Sequence, residues 1–183
     1  MFGWTVADPI PPEPKFVLIA YPHTTNWDYV FMIASALAYG VQLRWLGKKE
    51  LFDSPLGWLY RATGGVPVDR GKASNLVDTA VRWFHENERL ILVVPPTGTR
   101  KAQDYWKSGF YHIAVKAGVP INLATMDYLH KRAGFGPCYM PTGDVATDMD
   151  HIRAHYTVTH AKFPEKKQRI RLRSEDEPGG DAA

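Results

Sequence analysis

The segment Pro22-His23-Thr24-Thr25-Asn26-Trp27-Asp28 sets an imidazole and a carboxylate across what reads as a strand-to-helix turn. A turning chain lets Asp28 fold back toward one ring nitrogen of His23. A carboxylate held there fixes the tautomer and raises the basicity of the other nitrogen, as a general base acting on a hydroxyl requires. The same residues also read as Thr25-x-x-Asp28, a capping box in which Asp28 answers the helix dipole and His23 is an ordinary loop residue. Spacing alone does not separate the two readings.

Two further segments carry an arginine on a glycine-bearing turn just after a short apolar run. They are Gly64-Gly65-Val66-Pro67-Val68-Asp69-Arg70-Gly71 and Val94-Pro95-Pro96-Thr97-Gly98-Thr99-Arg100-Lys101. Guanidinium offers a planar fork for phosphate oxygens, and glycine lets the backbone approach a ligand. The alternative is that both arginines are solvated and the glycines only shape turns.

These loops need elements to hold them. Lys15–Tyr21 is a short apolar run, a buried strand. Asn26–Tyr39 repeats apolar residues at helical spacing and stops at Gly40. Leu43–Gly47 reads as a strand and Ser54–Ala62 as a short helix opened by Ser54 and Pro55. A brief strand at Val66–Val68 precedes an amphipathic helix at Ser74–Glu86, with Leu76, Ala80, Val81 and Phe84 on one side. Then come a strand at Arg89–Val94, a helix at Lys107–Ala117, strands at Pro120–Met126 and Pro137–Met140, and helix over most of Val145–His160. Strands alternating with helices predict an α/β fold, a single layered domain with a mostly parallel central sheet flanked by helices. In such sheets ligands collect at the loops after the strands' carboxyl ends, where Pro22–Asp28 and Pro95–Lys101 both lie.

The chain has 183 residues, enough for one domain with a real core. Its 45% hydrophobic and 22% charged composition excludes wholesale disorder. The lone cysteine, Cys138, excludes a disulfide framework and a cysteine-based zinc cluster. The net charge of +3 is uneven, because every Lys and Arg precedes Ser174 while Glu175, Asp176, Glu177 and Asp181 follow it. The expectation is a basic domain over 1–173, suited to anionic small molecules or an anionic membrane surface, and a disordered acidic tail over 174–183. The uncharged run Tyr29–Leu43 is shorter than the roughly 18 residues of a spanning candidate. Residues 1–14 hold four prolines, Asp8 and Glu13 and lack a basic start, unlike a secretory signal. A cytoplasmic protein is expected, meeting the inner face of the membrane, if at all, from the surface.

His23 to Asp28 matches the His-x-x-x-x-Asp box of the glycerophospholipid acyltransferases, the family that includes 1-acylglycerol-3-phosphate acyltransferases. Gly65 to Arg70 resembles their Gly-x-x-x-x-Arg block, and Pro96 to Arg100 their Pro-Glu-Gly-Thr-Arg block. Gly118-Val119-Pro120-Ile121 resembles the Val-Pro-Ile block. The four occur in the family's order over roughly residues 15–126. The resemblance implies acyl transfer from acyl-CoA or acyl-carrier protein, as substrate rather than cofactor, to a hydroxyl acceptor such as a lysophospholipid or glycerol phosphate. It makes His23 the base and Asp28 its orienter. It gives Arg70, Gly65, Thr97, Gly98, Thr99 and Arg100 to substrate binding, with Arg70 and Arg100 on phosphate and Lys48 near the same pocket. Two departures stand out. Thr97 replaces the usual Glu, and only 22 residues precede His23, where relatives often carry membrane-embedded helices. The alternatives are a non-glycerolipid acceptor (amine, sugar or secondary metabolite) or a non-catalytic acyl- or lipid-binding module.

Other features read blandly. His151 and His155 share a helix face without a third ligand in the pattern, so no metal site is expected. The basic run Lys162–Arg173 reads as an edge strand with solvated arginines or as an anionic-lipid contact. Trp45, Trp58, Trp83 and Trp106 read as core or acyl-pocket wall, and no basic groove for nucleic acid can be traced.

Overall fold

The computed structural model describes residues 3–6, 8–68, 73–98, 103–157 and 159–177. The strands are β1 (Thr5–Val6), β2 (Lys15–Tyr21), β3 (Arg44–Lys48), β4 (Gly65–Val68), β5 (Leu90–Val93), β6 (Ile121–Asp127), β7 (Arg132–Gly134) and β8 (Cys138–Tyr139). The helices are α1 (Trp27–Tyr39), α2 (Lys49–Phe52), α3 (Gly57–Ala62), α4 (Ala73–Glu86), α5 (Gly109–Ala117) and α6 (Val145–His155). They build one sheet in the order β1-β7-β6-β2-β5-β3-β4, with β8 also on β6. The run β6-β2-β5-β3-β4 is parallel throughout, while β7 and β8 pair antiparallel with β6. This is the α/β layered fold with a mostly parallel sheet that the alternation of elements predicts.

A central parallel strand buries both faces, so it reads as a continuous apolar run rather than an alternating one. In β2, Val17, Ile19 and Tyr21 face a core shared with Ala80 and Phe84 of α4, Ile113 of α5 and Ile152 of α6. Phe16 and Leu18 face the opposite core, against Ala36 of α1 and Trp45, Phe52 and Phe135. Gly40 ends α1 in the left-handed region at φ 67°, where its N–H bonds back to the last turn.

The structure departs from the sequence reading where packing overrides local pattern. Ser54 does not cap α3. Its hydroxyl donates to the Leu51 carbonyl at 2.6 Å, closing a turn after α2. Arg169–Arg173 forms no edge strand. Ile170 and Leu172 pack into the core, and one bridge joins Leu172 to Trp106. Residues 174–177, which composition assigns to the acidic tail, pair with the rest of the chain. Arg173–Glu175 is a 3-10 turn, Glu175 accepts from Arg153 at 2.7 Å, and Asp176 pairs with Arg171. The basic run folds the first acids back onto itself, so 174–177 belong to the ordered body, and 178–183 lie outside the described residues. Trp45 and Trp106 are buried and Trp83 packs partly on the core, but Trp58 is 68% exposed and lines none.

Candidate active site

Parallel pairing brings the carboxyl ends of β6, β2, β5, β3 and β4 to one edge of the sheet. The register matches Tyr21 with Thr125, Leu18 with Val93, Trp45 with Val93, and Lys48 with Val68. The loop after β2 carries His23, that after β5 carries Thr97 and Gly98, β3 ends at Lys48, and β4 ends two residues before Arg70.

At this edge Asp28 folds back over the turn, while the N-cap of α1 is Asn26 rather than Thr25 and makes no side-chain cap bond. Oδ2 of Asp28 accepts the backbone N–H groups of Thr24 at 2.8 Å and Thr25 at 2.9 Å, as a capping carboxylate does. The same oxygen lies 3.0 Å from Nδ1 of His23. A carboxylate oxygen accepts, so in the neutral ring this contact puts the proton on Nδ1 and the lone pair on Nε2. Asp28 has 6% of its side chain exposed and His23 23%, so the orienting group is dry while the ring reaches solvent.

The other oxygen of Asp28 is held by a residue the motif does not contain. Tyr128 Oη donates to Oδ1 at 2.5 Å. Burial and this bond to a carboxylate push its phenol well above the ordinary tyrosine range. Trp4 and Phe31 pack edge-on against the ring at 5.0 and 5.9 Å. Tyr128 was missed because it lies 100 residues from Asp28 in sequence. A signal was present in principle, since it follows a buried strand at the same carboxyl edge.

The remaining expected site residues fare differently. Lys48 is exposed at the carboxyl edge. Gly65 has a packing reason to be glycine: a Cβ there would sit 2.5 Å from the Tyr60 carbonyl oxygen and 2.6 Å from the Trp45 ring. Gly98 turns with φ 62°, and its N–H donates to the Pro95 carbonyl at 3.1 Å. Thr97 is 1% exposed, and its buried Oγ1 has no partner among the described residues. The loop is drawn inward by the Lys107 N–H, which donates to the Pro96 carbonyl at 2.7 Å. Arg70, Thr99 and Arg100 lie outside the described residues. His151 and His155 do not converge on a common ligand. His155 Nε2 meets the Leu123 carbonyl at 3.0 Å, its pKa lowered by burial, while His151 stacks on Tyr139.

Two concavities lie on opposite faces of the sheet. An apolar cavity of about 40 Å³ between α1 and the sheet is lined by Leu18, Ala20, Met32, Ala36 and Phe135. An open cleft of about 350 Å³ on the other face is lined by Tyr21, Arg153, Lys167, Arg169 and Arg171.

Both the sequence and the fold have counterparts among known proteins. Residues 5–125 match the acyltransferase family model, and the chain belongs to that family. It is 35% identical over 133 residues to a 1-acyl-sn-glycerol-3-phosphate acyltransferase of Haemophilus influenzae, covering 66% of this chain and 53% of that protein. It is 31% identical over 116 residues to the Streptococcus pneumoniae protein of the same description, covering 62% of this chain and 42% of the relative. The chain thus spans about half the length of these curated relatives. The crystal structure of the 1-acyl-sn-glycerophosphate acyltransferase from Thermotoga maritima shares the fold, with a TM-score of 0.62 at 20% identity over 84% of this chain and 69% of that one. Among the described residues, no helix is long and apolar enough to cross a membrane.

Proposed function

We propose that this chain transfers a fatty acyl group from an acyl-CoA or acyl-carrier-protein thioester to a hydroxyl acceptor, with 1-acylglycerol-3-phosphate as the preferred acceptor. The observation that carries the reading is the His23–Asp28 pair. Its ring is oriented through Nδ1 by a dry carboxylate, at the sheet edge where α/β ligands collect. Nε2 takes the acceptor's proton as its oxygen attacks the thioester carbonyl. The tetrahedral intermediate then collapses, and the thiolate leaves with the proton His23 has gained. Asp28 stabilises the imidazolium formed in between. Arg70 and Arg100 would hold the phosphate, and Lys48 at the same edge would add positive charge. The acceptor is drawn from the descriptions of the relatives.

The surface beside the site supports a peripheral contact with an anionic membrane. Trp27, next to Asp28, is 53% exposed, and Leu129, next to Tyr128, is 64% exposed. The ammonium of Lys162 lies 5.5 Å from the Trp27 ring. An exposed indole with a lysine over its ring suits the headgroup boundary, where each basic residue contributes about 1 kcal/mol.

The test is acyl transfer from acyl-CoA to lysophosphatidic acid, with product read by mass. The natural chain should turn over, and His23→Ala should lose about 10²–10⁴-fold while its melting temperature holds. Equal turnover by both chains would sink the assignment. Saturable acyl-CoA binding without transfer by either would leave an acyl-binding module.

A further inference from the structure

Around Tyr128, three side chains with metal-ligand chemistry converge from two parts of the chain. Asp127 ends β6, His130 lies in the turn to β7, and His160 follows α6. His130 Nδ1 is 2.9 Å and His160 Nδ1 3.4 Å from the same oxygen, Oδ2 of Asp127. The two rings stand edge to face, 5.4 Å between centroids. All three potential ligand atoms lie within 4.8 Å of one another.

We propose that Asp127, His130 and His160 bind a divalent transition-metal ion of the zinc class, through Oδ2 of Asp127 and Nδ1 of each histidine. Zinc bonds of about 2.0–2.1 Å set tetrahedral neighbours about 3.3 Å apart, which the His160 separation of 3.4 Å matches and the His130 separation of 2.9 Å reaches by a small outward shift. The carboxylate is already oriented for the task. Its Oδ1 accepts the N–H groups of Leu129 at 2.9 Å and His130 at 3.1 Å, which leaves Oδ2 to the ion. Two imidazoles select a borderline transition ion over magnesium or calcium, which prefer all-oxygen shells. Three protein ligands leave the remaining positions to water, and half-exposed histidines give the ion a path from solvent. The ion would tie the segment after α6 to the β6–β7 turn. That turn carries Tyr128, whose N–H donates to the His160 carbonyl at 3.0 Å and whose hydroxyl holds Asp28. Metal binding would therefore brace the support of the candidate base from outside.

The experiment is titration of the untagged full chain with Zn²⁺ by calorimetry and with Co²⁺ by visible absorption. One ion per chain is expected, with the d–d bands of four- or five-coordinate cobalt and a rise in melting temperature on saturation. His130→Ala and His160→Ala should each weaken binding by about 100-fold or more, exceeding the 10–100-fold that loss of an outer-shell partner costs. His151→Ala, on α6, should leave binding unchanged. No saturable binding at submillimolar free ion would overturn the site. So would binding that survives both histidine substitutions. The three residues would then be only a hydrogen-bonded cluster closing the β6–β7 turn.

Discussion

Asp28 and Asp148 are both buried aspartates that collect donors on both oxygens, yet they answer different needs. Asp148, in the first turn of α6, accepts the Tyr111 and Tyr139 hydroxyls at 2.7 Å each. It also accepts the Thr142 N–H and hydroxyl and the Gly143 N–H at 2.8 to 3.2 Å. All of these donors tie helix, strand and loop together. Asp28 accepts two backbone N–H groups and one tyrosine in the same style, but its remaining donor is a ring that reaches solvent. Donors from the fold alone make a staple. Exchanging one of them for a partly exposed imidazole gives the staple the geometry that the proposed base requires.

The widest separation should come from paired substitutions. Asp28→Asn keeps shape but turns an amide NH₂ toward donors and loses the charge that stabilises an imidazolium. Transfer should fall about 10²–10⁴-fold. Asp148→Asn should leave transfer within a few-fold but destabilise the chain by about 2–4 kcal/mol, because several buried donors lose their acceptor. For a domain of this size that is roughly 5–15 °C in melting temperature. If Asp148→Asn lost activity as Asp28→Asn does while staying folded, the contrast between staple and base would be wrong.

The tyrosines sharpen the same contrast. Tyr128→Phe removes one donor to Asp28 and keeps the packing on Trp4 and Phe31. A hydrogen bond to a charged group contributes about 1.5–3 kcal/mol, so transfer should fall about 10–100-fold, chiefly in kcat. Tyr111→Phe should lower stability instead, with kcat unchanged. Equal kcat losses from both would mean that Tyr128 acts only through the fold.

The positions of these residues explain how much of the site could be read from the sequence. His23 and Asp28 lie on one turn, and β2 and α1 on either side announce themselves by an apolar run and a helical repeat. Local pattern therefore carried both motif and context. Tyr128 and the acceptor shell of Asp148 depend on pairing between distant segments, and no window of sequence contains them. The Arg169–Arg173 run misleads for the opposite reason. Its alternation is local and strand-like, but Ile170 and Leu172 satisfy it by burying in the core without a ladder. Gly65 shows a third case, a motif glycine whose close neighbours supply a packing reason for it.

The Asp148 cluster should also set the response to pH. Burial alone would raise its carboxyl, but the donors from Thr142, Tyr139 and Tyr111 outweigh it and hold the pKa below the ordinary value. A carboxyl depressed by folding stabilises above its unfolded pKa of about 3.9, and the contribution is lost as pH falls through the folded value. At the other end, the bond to Asp148, with some burial, pushes the Tyr139 phenol up to about 12. That contribution is complete below the unfolded value near 10 and is lost as pH rises through the folded one. Melting temperature should therefore decline below about pH 4 and again above about pH 10, and Asp148→Asn should flatten both arms. Arms of unchanged depth in the variant would assign the pH response to other groups.

The smallest effect should come from Thr97, where the family pattern has Glu. A contact with the acceptor would require its hydroxyl at the open edge, and the structure instead buries it without a partner among the described residues. Thr97→Val keeps the shape and removes a buried, unmatched oxygen whose desolvation opposes folding by about 1–3 kcal/mol. Melting temperature should hold or rise slightly, and the acceptor KM should not change. Thr97→Glu should be the harmful change, because it forces a larger, charged group into a space that supplies no donor among the described residues. A several-fold rise in acceptor KM for Thr97→Val would mean that the Pro95–Gly98 turn opens during turnover and brings the hydroxyl to the substrate. Thr97 would then belong with His23 and Asp28 on the reactive side of the comparison.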